Sequence, residues 1–273
     1  MKLICVLPYH NGDHTSATRL LEWISELDSH IDHHLLLVAD NAVPKDTKIA
    51  IQNLGSAIFT SCETIMPPCP ATINNNYHPA AAVMFERAMG HINTCYKRDW
   101  LWMEPDCVPL RPGWLDALAH AYENQPKRFM GATMKPNDPQ FPATMFFGTA
   151  IYPQNAHAEL KAFCDGKKAF DVAFSDHVVP RGTNTPLIWH VFGAPGDAPS
   201  FKDIKMPGDG PNVGTMDTVP KEAVLMHRCK DGSLIELLRK QRDNPERLML
   251  GQKPEKRGPG RPLKSPLLEP EIP

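Results

Sequence analysis

The chain predicts an α/β fold, a mixed and mainly parallel sheet flanked by helices in one domain. Three observations carry this. Short apolar runs alternate with amphipathic stretches from residue 2 to about 150. The runs are nearly continuous in apolar residues, as strands covered on both faces are. Prolines stand where helices open, the one position at which a missing N–H costs nothing. With 273 residues, 42% of them apolar and 22% charged, the chain can bury a sizeable core, and a wholly disordered polymer is excluded.

The first apolar run, Leu3 to Leu7, is a strand. Thr15 to Leu27 places Leu20, Leu21, Ile24 and Leu27 on one helical face, and His34 to Ala39 is a second strand stopped by Asp40-Asn41. A helix from about Pro44 to Leu54, with Gly55 beyond its end, precedes a third run, Ala57 to Thr60. After the polar cluster Asn74 to Tyr77, Pro79 opens a helix whose Ala82, Phe85, Met89 and Ile92 share a face. Trp100 to Met103 is the next strand. Pro112 begins a helix carrying Trp114, Leu115, Leu118 and Tyr122, and Met145 to Tyr152 is a later strand. Residues 193–216, rich in Gly and Pro, form a long irregular loop, one use of which is a substrate lid. Val224 to His227 is the last strand, and Ser233-Leu234-Ile235-Glu236 fits a capping box opening a helix that runs to about Arg242. Residues 1–251 make up the domain. The final stretch, 252–273, holds six prolines and no aromatic residue and is expected to stay disordered.

Several function classes lose support at once. No apolar run reaches the roughly 18–20 residues of a spanning helix, and Pro8 stops the first run too early for a signal sequence, so a cytoplasmic protein without membrane contact is expected. The seven cysteines contain no C-x-x-C pair, which argues against a disulfide framework or a zinc site. A formal net charge of -2 supplies no global field for nucleic acid. No phosphate-cradling G-x-x-x-x-G-K motif occurs, and Gly208, Gly210 and Gly214 do not match a dinucleotide fingerprint.

Ligands of a parallel sheet collect at the carboxyl ends of its strands. Three polar exits qualify: Pro8-Tyr9-His10-Asn11, Asp40-Asn41 and Glu104-Pro105-Asp106. Two carboxylates one residue apart, stiffened by proline, present oxygen ligands to a hard divalent cation such as Mg or Mn; an ordinary solvated acidic turn has the same composition. Tyr9 and His10 suit stacking on a ring or capping a strand, and Asp40 suits base contact or an Asx turn. Arg228 and Lys230, before a helix start, fit a diphosphate leaving group or a solvated basic turn. His190 suits donor contact, while neighbouring Trp189 fits the core better.

This order of elements, a strand ending in Asp, a strand leaving into Glu-Pro-Asp and a late strand ending in His227, resembles the type-A (GT-A) nucleotide-sugar glycosyltransferases over about residues 2–240. The resemblance implies a Mn or Mg ion held by Glu104, Asp106 and His227, with Glu standing where the family's D-x-D-like motif has its first Asp. It implies a nucleotide-sugar donor, UDP-linked by expectation, embraced by Leu7, Pro8, Tyr9 and His10, with Asp40 on the base edge. It also implies a base for the acceptor hydroxyl near a helix start. Phe170-Asp171 keeps the Asp of the family's x-E-D pattern and lacks its Glu, so Asp171 is the first candidate and Asp176 the reserve; helix capping and a solvated face are their ordinary alternatives.

Lys256 to Lys264 resembles an AT-hook whose core is Pro-Gly-Arg-Pro in place of Arg-Gly-Arg-Pro. That leaves Arg261 to enter a minor groove and Arg257 and Lys264 for phosphates; a plain basic linker is the other option. Domain and tail together resemble bacteriophage enzymes that glycosylate hydroxymethylated pyrimidines, which implies DNA as acceptor. A glycan, lipid or protein acceptor and a non-catalytic DNA-binding protein are the rivals.

Overall fold

The computed structural model describes residues 1–67, 77–135, 142–190 and 219–242. The Asn74 to Asn76 cluster, the 193–216 loop, the 251/252 boundary and the tail with Arg257, Arg261 and Lys264 lie outside them.

Strand β1 (Ile4–Tyr9) is buried along its whole length. It pairs in parallel with β2 (Ile31–Ala39) on one side and β4 (Trp100–Trp102) on the other, so Ile4 lies between His34 and Trp100. Beyond β2, β3 (Phe59–Ile65) continues the parallel set. Beyond β4 come antiparallel β7 (Met145–Tyr152), then β6 (Phe129–Met134) antiparallel to β7, and finally β8 (Gly182–Asn184) parallel to β6. The resulting seven-stranded sheet, order β3-β2-β1-β4-β7-β6-β8, is the mixed, mainly parallel sheet that the apolar runs predict.

Alternation along β1 divides the core. Leu3, Cys5, Leu7 and Tyr9 face α1 (His14–Leu27), α2 (Lys45–Ile58) and α4 (Trp114–Glu123), while Ile4 and Val6 belong to the core of α3 (Tyr77–Cys95), α5 (Ala156–Leu160) and α6 (Phe170–Val178). The second face is aromatic: the Phe85 ring lies 4.2 Å from Phe170, 5.0 Å from Trp102 and 5.2 Å from Tyr152. A three-stranded sheet, β5 (Val108–Pro109), β10 (Leu225–His227) and β9 (Ile188–His190), flanks the large one. α7 (Ser233–Arg242) sets Leu234, Ile235 and Leu238 against Trp23 of α1, and Arg239 and Arg242 pair with Glu26.

Two local expectations are corrected. Gly55 does not end α2 but sits inside it: a Cβ there would stand 2.5 Å from Leu35 Cδ2 and 2.9 Å from Cys62 Sγ. An interior glycine costs a helix about 1 kcal/mol, and here it lets α2 lie down on the sheet, which delays β3 to Phe59. In α7 the expected Ser233 cap is not the one used; the Asp231 carboxylate accepts the Ser233 N–H at 2.9 Å and its Oγ–H at 2.5 Å. Strand β6 is not among the expected elements: Asn124 and Pro126 mark a turn before it, but Gly131 interrupts its short Phe129–Met134 run. Among the described residues, no helix is long and apolar enough to cross a membrane.

Candidate active site

Because β1, β2 and β4 are parallel, their exits open at one edge of the sheet, and a pocket of about 430 Å³ lies there. Pro8, His10, Asp13, Asp40, Glu104 and Phe170 are among its walls. Each strand thus delivers one of the polar exits singled out in the sequence.

His10 is pinned by both ring nitrogens. Nδ1 accepts the Gly12 N–H at 2.8 Å, and Nε2 lies 3.3 Å from Asp13 Oδ2, which places the ring proton on Nε2. Asp13 also accepts the His10 backbone N–H at 2.7 Å, and its side chain does not cap α1. Burial, together with Asp106 and Glu104 nearby, pushes the Asp13 carboxyl above its usual range. Sequence reasoning missed this residue; its only signal was an acidic side chain between a strand exit and a helix start. Tyr9 lines the pocket, but its ring is 1% exposed and belongs to the core, so it offers no open face for stacking. Asp40 makes the Asx turn, accepting the Ala42 N–H at 2.7 Å, and lines the pocket as well.

The acidic exit is tied to the small sheet. Cys229 N–H donates to the Asp106 carbonyl at 2.8 Å, which draws the end of β10 onto the exit of β4. His227 Nε2 then stands 3.3 Å from Glu104 Oε2 and 3.2 Å from Asp106 Oδ1. Burial alone would lower the His227 pKa, but Asp106 and Glu104 outweigh it and push the ring up to about 10. Burial would raise the Asp106 carboxyl; His227 and then Lys230 hold it below the usual carboxylate range. Lys230 is exposed, and Arg228, half-buried with φ 78°, is the next residue after His227.

These residues fit a hard divalent cation. Asp106 Oδ1 is buried without a well-directed hydrogen bond, and the three side chains offer two carboxylates and one imidazole. Cys107 Sγ also falls within 4.8 Å of the Asp106 and His227 ligand atoms. Burial pushes that thiol well above its ordinary pKa and Thr149 Oγ1 stands 3.5 Å from it, while Glu104 adjoins the group through His227 Nε2, 3.3 Å from its Oε2.

Asp171 lies in the first turn of α6, where its Oδ1 accepts the Val172 N–H at 2.9 Å and Gly148 N–H bonds it as well. Burial, then Glu104, pushes its carboxyl up to about 6. Gly148 permits this crowding: a Cβ there would meet Phe170 Cζ at 2.9 Å and Glu104 Oε1 at 3.2 Å. Asp176, five residues along α6, is exposed and does not join the cluster. His190 is 8% exposed, stacked on Phe147 at 3.7 Å and 10°, with Nδ1 2.9 Å from His227 Nδ1. It is not among the residues lining the pocket and contacts a candidate ligand instead of the pocket space. Trp189 packs against the Trp23 and Met226 cluster, as a core residue does.

No family model matches this sequence, and no curated protein sequence does. Solved structures do. An active-site mutant of the galactosyltransferase LgtC is 8% identical, covers 93% of this chain and 98% of its own, and superposes with a TM-score of 0.50. The bifunctional glycosyltransferase WbbM is 14% identical over 83% of this chain with a TM-score of 0.49, and this chain spans 45% of WbbM. A Pyrobaculum calidifontis mannosyltransferase, PcManGT, in complex with GDP-Man and Mn2+, is 14% identical over 67% of this chain and 54% of its own, with a TM-score of 0.44. At these identities the likeness is one of fold, and the fold is that of the GT-A glycosyltransferases.

Proposed function

We propose that the protein is a metal-dependent glycosyltransferase that moves a sugar from a nucleotide-sugar donor, UDP-linked in the first instance, to an acceptor hydroxyl. The observation that carries this is the approach of His227 to both Glu104 and Asp106 beside a pocket formed by three parallel strand exits, with Asp171 near enough for Glu104 and His227 to shift its carboxyl. A bound Mn2+ or Mg2+ supplies charge neutralisation for the departing nucleoside diphosphate. Glu104, Asp106 and His227 hold that ion. His10 and Asp40 flank base and ribose at the ends of β1 and β2, and Arg228 and Lys230 add positive charge at the end of β10. Asp171 accepts the acceptor's hydroxyl proton as that oxygen bonds to the anomeric carbon and the bond to the diphosphate breaks. A carboxyl at about 6 suits the task, being ionised at neutral pH yet more basic than a free aspartate.

For the acceptor, we propose a hydroxymethylated pyrimidine in DNA, with Arg257, Arg261 and Lys264 of the tail contacting the duplex. Support for this comes from the tail's sequence, Lys256 to Lys264. The test is transfer of labelled sugar from nucleotide-sugar donors to hydroxymethylated DNA, to unmodified DNA and to glycan acceptors, each with Mn2+ and with EDTA. Label entering only the hydroxymethylated duplex, and only with metal, supports the proposal. Label entering glycan alone removes the DNA acceptor, and absence of transfer to any acceptor removes the enzyme.

A further inference from the structure

A histidine binds a cation through Nε2 only while its other nitrogen carries the proton, and that N–H needs an acceptor when buried. His227 is placed for both, with one ring nitrogen toward each side. Its Nε2 faces Glu104 and Asp106, and its Nδ1 lies 2.9 Å from Nδ1 of His190. The arrangement is built into the backbone: β9 and β10 are parallel with His190 and His227 directly in register. The His190 ring cannot swing away easily, since it is 8% exposed and lies flat on Phe147 at 3.7 Å and 10°. Its plane stands at 77° to that of His227 with centroids 4.6 Å apart, so an edge nitrogen of one ring meets an edge nitrogen of the other.

We infer that His190 is a positioning residue for metal binding: its Nδ1 accepts the His227 Nδ1–H and so keeps the His227 Nε2 lone pair directed between Glu104 and Asp106. This rests on the metal-dependent function proposed above. In metal-ligating histidines the outer partner is usually a carboxylate, a carbonyl or water. Here a neutral imidazole fills the place, clamped by an aromatic ring. Without His190, nothing at Nδ1 holds the His227 ring in the orientation that keeps Nε2 between Glu104 and Asp106.

The test is Mn2+ binding to the full chain, followed by the EPR signal of the free ion, in wild type and in His190→Leu, His190→Asn and His190→Gln. An asparagine carboxamide oxygen sits near the position of Nδ1, whereas that of glutamine lies one bond further out. His190→Leu and His190→Gln are expected to weaken Mn2+ binding about 10- to 100-fold, and His190→Asn to keep most of the affinity. The Asn and Gln pair decides the matter even if the Leu variant does not fold. Equal affinity in wild type and all variants, or equal loss in Asn and Gln, overturns the role of His190 alone. Absence of Mn2+ binding by wild type overturns the metal-dependent function, and this inference with it.

Discussion

Gly148→Ala places a methyl group at the tightest point of the site. The new Cβ would stand 2.9 Å from Phe170 Cζ and 3.2 Å from Glu104 Oε1. Phe170 has nowhere to go, being 5% exposed and held by Phe85 at 4.2 Å and Trp102 at 5.9 Å. The β7 backbone must therefore yield, and the Glu104 carboxylate, the flexible neighbour on the other side, shifts from its position 3.3 Å from His227. Overpacking of this kind costs about 1–3 kcal/mol, against about 0.4–1 kcal/mol gained by restricting the unfolded chain. The clash wins, and Tm should fall by roughly 2–4 °C for each kcal/mol of net loss. Displacement by about 1 Å costs a catalytic group about 100-fold, so a shift of some tenths of an ångström should lower kcat on the order of tenfold. Thermal unfolding and steady-state release of nucleoside diphosphate measure the two effects. Gly90→Ala in α3 is the control: its nearest neighbour would be His157 Nε2 at 3.6 Å, an ordinary contact, so the variant should be slightly stabilised, by about 0.5–1 kcal/mol. If Gly148→Ala matches wild type in Tm and kcat, the account of how Glu104 and Phe170 share that space is wrong.

Asp171→Asn should lower kcat by roughly 10²–10⁴ with donor KM little changed, because the base acts on the acceptor proton. In wild type, kcat should decline as pH falls through about 6, where Asp171 takes up its proton; Asp176→Asn, at an exposed position, should leave both unchanged, and the reverse result would move the base to Asp176. Burial holds the His34 imidazole below its usual value, so the unfolded chain binds that proton more readily and folding stability should drop as pH falls below about 6.5. Chemical denaturation across that range checks this, and His34→Gln should flatten the slope. Deleting residues 252–273 should raise KM for long DNA far more than it lowers kcat, with the gap shrinking as salt rises, and Arg261→Ala should reproduce much of the loss. An unchanged KM at low salt would make the tail a plain linker.

How much of this was legible in the sequence depended on how locally each feature is encoded. β7 occupies Met145–Tyr152, the apolar run that marks it, and α1 ends at Leu27 where its apolar face ends. The Glu104-Pro105-Asp106 exit could be found because a strand's carboxyl end is a local event. Four residues were not placed by anything local. Gly55 looks like a helix stop until Leu35 and Cys62, from two other strands, are laid beneath it. Tyr9 has the chemistry of a stacking ring, but its place in β1, in step with Leu7 and Cys5, turns it into the core. Asp13 and His190 owe their positions to a side-chain clasp on His10 and to the β9–β10 register, and neither carries a motif of its own.

The central claim is that Glu104, Asp106 and His227 hold a divalent cation that serves departure of a nucleoside diphosphate. Its most direct test is nucleoside diphosphate release from a panel of nucleotide sugars, with Mn2+ and with EDTA, by wild type and Asp106→Ala. Asp106→Ala removes the carboxylate that lies 3.2 Å from His227 Nε2 and leaves Gly148, Phe170 and the pocket walls intact. Wild type with Mn2+ should release nucleoside diphosphate from at least one donor, and release should be almost completely lost both in EDTA and in the variant. Full turnover in EDTA, or an Asp106→Ala protein as active as wild type, would contradict the claim.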